Sequence, residues 1–464
     1  MKSIKIMVFS KKKIKRNMII VTASFLLIYL LISLYFNNHF FFHTVINGAD
    51  VSLRAYDDGD KIIKRYINNY KLQLIEKNGE TEELTGKAIG MRYNEKNNIS
   101  QIYHVQKSIG WIGSLFNEQL YQIADLYVFD KEKLKKAVKE LNCLNKKIIE
   151  PKNVSFAYSN GIYTVVGEVY GNKIIREKLY EAIIKSIVKG DMELDLNKKQ
   201  CYENPRYTVG SDKTRKTRDL LNKYVSTVIT YKFGRVSERL DGNAIKDWLS
   251  VNEDLEVMID KTAIVKYIKA LGKKYDTVGV PREFKTSVGK TIEIKGGLYG
   301  WKIDQVKEVN TLTDNIKQGK VIVTEPAYSQ KALSREGNEV GNTYVELNIT
   351  RQYLWFYKDG KLIAQGAVVT GNPNRGNPTV VGVYMLNYKQ KGATLKGPGY
   401  KVEVKYWMPF YGNIGIHDAS WRNSFGGEIY KRRGTHGCVN APPHLAKKIF
   451  EQIEEGIPVI SYEE

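Results

Sequence analysis

Four marks in this chain recur at nearly one spacing. "YGNKI" begins at Tyr170 and "YGWKI" at Tyr299, and a glycine follows 20 residues later in each case, Gly190 in "IVKGDMELDL" and Gly319 in "IKQGKVIVTE". Upstream, "VFDKEKLKKAVKEL" (Val128 to Leu141) aligns with "MIDKTAIVKYIKAL" (Met258 to Leu271). Each of these opens on an aspartate suited to an N-cap and continues with apolar residues at helical spacing. Offsets of 129 and 130 residues imply two copies of one α+β unit, the first over residues 45–208 and the second over 209–335. Neither copy carries a catalytic set. His104 is the one histidine of the stretch, and the carboxylates are scattered over polar faces, so the copies read as spacer or binding modules.

Ahead of the repeats, no residue from Asn17 to Asn38 is charged. Within that run "MIIVTASFLLIYLLISLYF" (Met18 to Phe36) is long enough to cross about 30 Å of hydrocarbon as a helix. Lys2, Lys5, Lys11, Lys12, Lys13, Lys15 and Arg16 precede it without an acid. The positive-inside rule therefore keeps residues 1–17 in the cytoplasm, spans the membrane with 18–38 and places the remainder outside. A cleaved signal peptide would have an apolar core of about 7–15 residues and a small-residue cleavage site. Here the run ends in "LYFNNHFFFH", which favours an uncleaved anchor with Phe40, Phe41 and Phe42 at the outer interface. The net charge is +22, and without the seven leading cations it is 22 − 7 = +15. Basicity this diffuse forms no nucleic-acid module, so no nucleic-acid partner is expected, and it suits a polyanionic surface.

From residue 340 to 464 the pattern changes to alternating apolar and polar residues. "TYVELNITRQYLWFYKDGKLIAQGAVVTGNP" carries a hairpin signal at Asp359-Gly360, and "GVYMLNY", "YKVEVKYWMPFYG" and "IPVISY" read as further strands. In "APPHLAKKIFEQIEEG", Pro442 and Pro443 sit at a helix start, Leu445, Ile449 and Ile453 form a stripe, and Gly456 is the expected stop. The block is expected to be mostly β with one late helix.

The chain has three cysteines, which excludes a disulfide scaffold and a four-cysteine zinc site. Cys143 and Cys201 read as structural thiols, with a bridge between them as the alternative. Cys438 lies in "GTHGCVNAPP", and three of the six histidines, His417, His436 and His444, fall in the same block. No second thiolate or fourth ligand stands at metal-like spacing, so neither a metal nor a cofactor is expected. A free thiol is mostly protonated near neutrality, and an adjacent imidazolium is expected to stabilise the thiolate as the nucleophile. Gly437 lets the backbone approach closely, so that amides around Gly437 and Cys438 can face a developing oxyanion.

The segment from His417 through 17 intervening residues to "THGCVN" resembles the signature of the L,D-transpeptidase (YkuD) family, with Thr435 at a position where serine is commoner. "GAVVTGNP" and "GIHD" extend the resemblance across residues 340–464. The two repeats are similar, on "GIYTVVGEVYGNKI" and "KYDTVGVPREFKTSVGKTIEIKGGLYGWKI", to the peptidoglycan-binding modules that often precede such a domain. The resemblance implies an α+β multidomain chain: a transmembrane helix, two tandem α+β repeats and a mostly-β catalytic domain. It implies Cys438 as acylating nucleophile, His417 as general base, Asp418 as the residue that orients it through a side-chain or backbone atom, and His436 and Gly437 as the oxyanion segment. Asn440, Thr435, Arg433 and Trp421 fall on the substrate side. Arg422, Lys431 and Arg432 are either a solvated loop or contacts to substrate carboxylates, and Trp407 is core or stacking surface. "NPTVVG" (Asn377 to Gly382) departs from the family's usual loop. The implied activity is a membrane-anchored cell-wall L,D-transpeptidase acting on peptidoglycan stem peptides and glycan, with carbapenems as covalent inhibitors. The alternatives are an L,D-carboxypeptidase, a protein-to-peptidoglycan ligase or an inactive wall-binding scaffold.

Overall fold

The computed structural model describes residues 11–97, 99–397 and 400–464. The chain divides into two compact units. The first ends at Ser155 and resumes over Val166–Ser211; the second is made of Phe156–Val165 and Asp212–Glu464.

The first unit opens with α1 (Lys11–Tyr35), an apolar helix with little buried surface and long enough to cross a membrane. Beyond it the chain folds back onto protein. His39 bridges Ala55 and the Phe40 amide donates to the Arg54 carbonyl, which drives Phe40 and Phe41 into apolar clusters. These two rings are therefore packed against protein rather than exposed to a lipid interface. A small sheet follows, with β1 (Lys71–Ile75) between β2 (Thr81–Thr85) and β3 (Glu193–Asp195), and β3 runs parallel to β1. Helices α2 (Lys131–Lys139) and α3 (Arg176–Lys189) cover it. Cys143 and Cys201 are both free and buried in this core, and burial pushes both thiols up.

The second unit repeats the arrangement. Here β4 (Val228–Phe233) lies between β5 (Val236–Leu240) and a parallel β6 (Val321–Thr324), with α4 (Lys261–Tyr275) and α5 (Gln305–Gln318) packed on it. The punctuation of the two copies matches. Asp130 and Asp260 cap α2 and α4 by accepting from the amides two and three residues on. Gly190 and Gly319, at φ of 77° and 68°, end α3 and α5 in the left-handed conformation that glycine adopts most readily.

The C-terminal block of this unit holds two sheets. The five-stranded one has the order β9 (Lys361–Ala367), β8 (Tyr353–Lys358), β7 (Tyr344–Asn348), β15 (Pro458–Tyr462), β10 (Gly382–Met385). The four-stranded one runs β11 (Gln390–Gly397), β12 (Tyr400–Tyr411), β13 (Ile414–Asp418), β14 (Val439–Ala441). Asp359 and Gly360, both at positive φ, make the β8–β9 turn. Residues from both sheets and from α6 (Pro443–Gln452) share one core, which includes Phe356, Met408, Ile416, Leu445, Ile449 and Val459. Helix α6 ends a turn before Gly456, because Ile453 leaves helical backbone and is fully buried. A short helix, Ile429–Arg433, precedes the cysteine loop, so the late helix has a companion. Tyr299 and Trp301 of the second repeat join Val383, Ile460 and Tyr462 in a single apolar cluster, so that the repeat and the C-terminal block share part of their core.

Candidate active site

Strand β13 ends in an apolar run, "IGIHD", whose alternate residues fill the core, and it carries His417 and Asp418 to the edge of the site. Strand β14 lies parallel to it, with His417 opposite Asn440 and Ile416 opposite Val439. Cys438 therefore enters level with Gly415, whose backbone amide favours the ionised thiol. The thiol also lies 3.4 Å from the Asn413 carbonyl. Cys438, His417, Asn440, Thr435, His436, Trp421 and Arg422 line one cavity of about 210 Å³, together with Leu395 and Val402 of the β11–β12 hairpin.

His417 is almost fully buried, and its Nδ1 lies 2.9 Å from the Asp418 carbonyl oxygen. A carbonyl only accepts, so Nδ1 bears the proton and Nε2 keeps its lone pair. The Asp418 carboxylate is turned to other work, accepting from the Lys405 and Tyr406 amides at 2.8 Å each. Of the two atoms left open by the sequence, the carbonyl is the one that holds the imidazole. Trp407 and Trp421 flank the ring at 5.9 and 6.0 Å. Trp407 is buried and Trp421 is half exposed, which divides core packing and cavity wall between them. Burial pushes the His417 imidazole down and the Cys438 thiol up, the Gly415 amide offsetting part of the latter.

The loop that presents Cys438 is braced from within. The Thr435 hydroxyl donates to the Cys438 carbonyl at 2.6 Å and accepts from the Gly437 amide at 3.0 Å. Gly437 adopts φ 114°, where L side chains are strained. Its carbonyl accepts from Thr379 Oγ1 at 2.7 Å, and that oxygen accepts in turn from the Gly371 amide at 2.9 Å. The unusual "NPTVVG" loop thus supplies the brace beneath the cysteine turn. A Cβ on Gly371 would come within 2.8 Å of Gly437 Cα, so the two loops can approach this closely only because residue 371 is glycine.

The basic residues separate. Arg422 contributes a guanidinium to the cavity, with Nη2 bonded to the Arg433 carbonyl at 2.8 Å and a buried Nε without a partner in the structure. Arg433 itself is exposed and takes part through its backbone, Lys431 pairs with Glu428, and Arg432 is exposed. His444 lies in the first turn of α6. Sequence reasoning missed Thr379, Gly371, Asn413, Gly415, Leu395 and Val402. Thr379 carried a signal in the departure of its loop from the family's pattern, and Gly371 and Gly415 in lying within "GAVVTGNP" and "GIHD". Among the described residues no group of three or more His, Cys, Asp or Glu is placed to hold a metal ion.

The model of the L,D-transpeptidase catalytic domain (YkuD) matches residues 342–460. A peptidoglycan binding domain matches twice, over 82–195 and 207–323. No curated protein matches the chain. Among solved structures, a cysteine-to-serine mutant of the Enterococcus faecium L,D-transpeptidase is 31% identical, covering 53% of this chain and 98% of that one, at a TM-score of 0.44. The catalytic domain of the E. faecium L,D-transpeptidase acylated by ertapenem is 41% identical, covering 26% of this chain and 98% of that one, at a TM-score of 0.25. On the two family models, which between them match residues 82–195, 207–323 and 342–460, the chain carries the L,D-transpeptidase catalytic domain of the YkuD family with peptidoglycan-binding domains ahead of it.

Proposed function

We propose that the protein is a membrane-anchored enzyme that cross-links peptidoglycan stems through a thioester on Cys438. The observation that carries this reading is the state of His417. With Nδ1 committed to the Asp418 carbonyl, Nε2 is the one ring atom available to take a proton, and His417 and Cys438 line the same cavity. As the stem binds, Sγ passes its proton to His417 Nε2 and attacks the carbonyl carbon of the amide between an L-centre and the following D-residue. The Cys438 amide faces the resulting oxyanion, while Gly437, whose own amide is held by Thr435, fixes the turn. The C–N bond breaks as His417 returns the proton to the departing amine, leaving the thioester. An acceptor amine then attacks, His417 takes its proton, and the thiol is restored. General-base assistance of this kind contributes about 10²–10⁴-fold.

Arg422 is suited to a substrate carboxylate, since its guanidinium is charged, lines the cavity and has a buried Nε still to satisfy. His436, Asn440 and Trp421 form the remaining substrate-side wall, and Arg433 positions Arg422 through its carbonyl. Ertapenem acylation of the E. faecium domain supports carbapenems as covalent inhibitors here, through ring opening on Cys438.

Packing around α1 favours an anchor over a cleaved leader. Ser33 and Phe36 are buried, with Ser33 accepting from Trp111 Nε1 at 3.2 Å, so removal of α1 would strip a tryptophan of its partners. Residues 1–17 then face the cytoplasm, residues 18–38 span, and residues 45–208, 209–335 and 340–464 work outside as two wall-binding repeats and the catalytic domain. Incubation with defined tetrapeptide and pentapeptide muropeptides, read by product mass, tests the activity. Cross-linked dimers from tetrapeptide donors support transpeptidation; release of free tripeptide alone makes the enzyme a carboxypeptidase.

A further inference from the structure

We propose that residues 108–116 lie in the outer leaflet of the membrane that α1 spans, with the 3-10 helix Ser108–Leu115 at the boundary between headgroups and acyl chains. The inference rests on the anchor reading above and adds a second membrane contact.

Depth is the first argument. The 3-10 helix is fastened to the last two turns of α1. The Tyr29 hydroxyl donates to the Ile109 carbonyl at 2.7 Å, the Tyr29 and Trp111 rings stack at 5.9 Å, and Trp111 Nε1 donates to Ser33 Oγ at 3.2 Å. Tyr29 stands six residues short of the helix end at Tyr35, about 9 Å at 1.5 Å per residue. If everything from Tyr29 outward were in water, the uncharged stretch from Met18 to Ile28 would have to cross the membrane with about 16 Å of helix, against the roughly 30 Å required. The span needs the segment that the 3-10 helix covers, and the two enter the leaflet together.

Surface chemistry is the second. Residues three apart share a face in a 3-10 helix. Trp111 and Ser114 form the buried face; Ile109, Ile112 and Leu115 form an exposed one, with Phe116 next to it at 81% exposure. The helix contains no charged residue. A water-facing surface would carry polar groups at these positions, whereas an apolar one beside a spanning helix is continuous with that helix's own lipid-facing side chains. Backbone groups in such a place must be satisfied internally, and the Tyr29 bond to the Ile109 carbonyl does this for one of them. The occupant of this surface is therefore lipid. By anchoring the first unit at two points, it fixes that unit's orientation to the membrane plane.

Nitroxide labels on the full chain in phospholipid vesicles test this. Ile112→Cys and Phe116→Cys would be compared with Leu26→Cys on the exposed middle of α1 and Lys361→Cys at the exposed start of β9, each in a Cys438→Ala background to remove the accessible native thiol. All four side chains are exposed, so the labels leave the fold intact. Collision with oxygen and with a water-soluble nickel chelate reads the depth. The expected result is loss of nickel access at 112 and 116 as at 26, with full access at 361. Nickel access at 112 and 116 equal to that at 361, with 26 still shielded, overturns the inference and leaves the anchor standing. Access at all four positions overturns both.

Discussion

The Nδ1 of His417 lies 2.9 Å from the carbonyl oxygen of Asp418, its own neighbour in the chain, while the Asp418 carboxylate points to the Lys405 and Tyr406 amides. The base is thus oriented by backbone, and the acidic side chain serves the strand edge.

Asp418→Asn keeps an acceptor oxygen for both amides and leaves the carbonyl in place. It should retain kcat within about tenfold, whereas loss of a carboxylate that itself orients a catalytic imidazole costs about 10⁴-fold. Asp418→Ala should lower stability by about 1–3 kcal/mol for each amide left buried without an acceptor. Steady-state kinetics and thermal melts on both variants separate the two roles.

The resting pair should be neutral. With the Cys438 thiol pushed up and His417 pushed down, alkylation of Cys438 by iodoacetamide should keep rising with pH to beyond about 9, where an ordinary thiol is already ionised. A preformed thiolate–imidazolium pair would instead give a plateau across neutral pH. Linkage sets the matching stability profile. The folded-state pKa of His417 is below its unfolded value of about 6.5, so the unfolded chain binds the proton first and stability falls as pH drops below about 6.5. His417→Ala should flatten that part of the curve.

Thr379 bridges the Gly371 amide and the Gly437 carbonyl. Thr379→Val removes both bonds at nearly constant volume and should cost about 1–3 kcal/mol per orphaned group. Displacement of the cysteine turn should also lower kcat by about 10²-fold. Thr379→Ser should restore most of both, because the hydroxyl alone makes the brace.

If Arg422 binds a substrate carboxylate, Arg422→Gln should raise KM with little change in kcat. A charge-assisted hydrogen bond of about 1.5–3 kcal/mol corresponds to a rise of roughly 10- to 150-fold. An unchanged KM would return Arg422 to a structural role.

What could be read in the sequence was local. Asp130, Asp260, Gly190 and Gly319 act within one turn of chain, so their caps and stops show in the residues themselves. The Asp359-Gly360 turn and the spacing from His417 to Cys438 are legible for the same reason. Long-range contacts were not. Thr379 reaches Gly437 across 58 residues and Trp111 reaches Ser33 across 78, and nothing at either position marks its partner. Phe40 and Phe41 misled because an aromatic run after an apolar helix looks the same whether it faces lipid or folds under protein. Gly456 misled because burial of Ile453 ended α6 before the glycine was reached.

Intact-protein mass spectrometry after incubation with a tetrapeptide-stem donor and no acceptor tests the central claim most directly. The wild type should gain the mass of the tripeptide acyl group, and His417→Ala should gain it more slowly by about 10²–10⁴-fold. Cys438→Ala should gain nothing. An acyl adduct on Cys438→Ala, or cross-linking activity that survives this substitution, would place the chemistry on another residue and contradict the account.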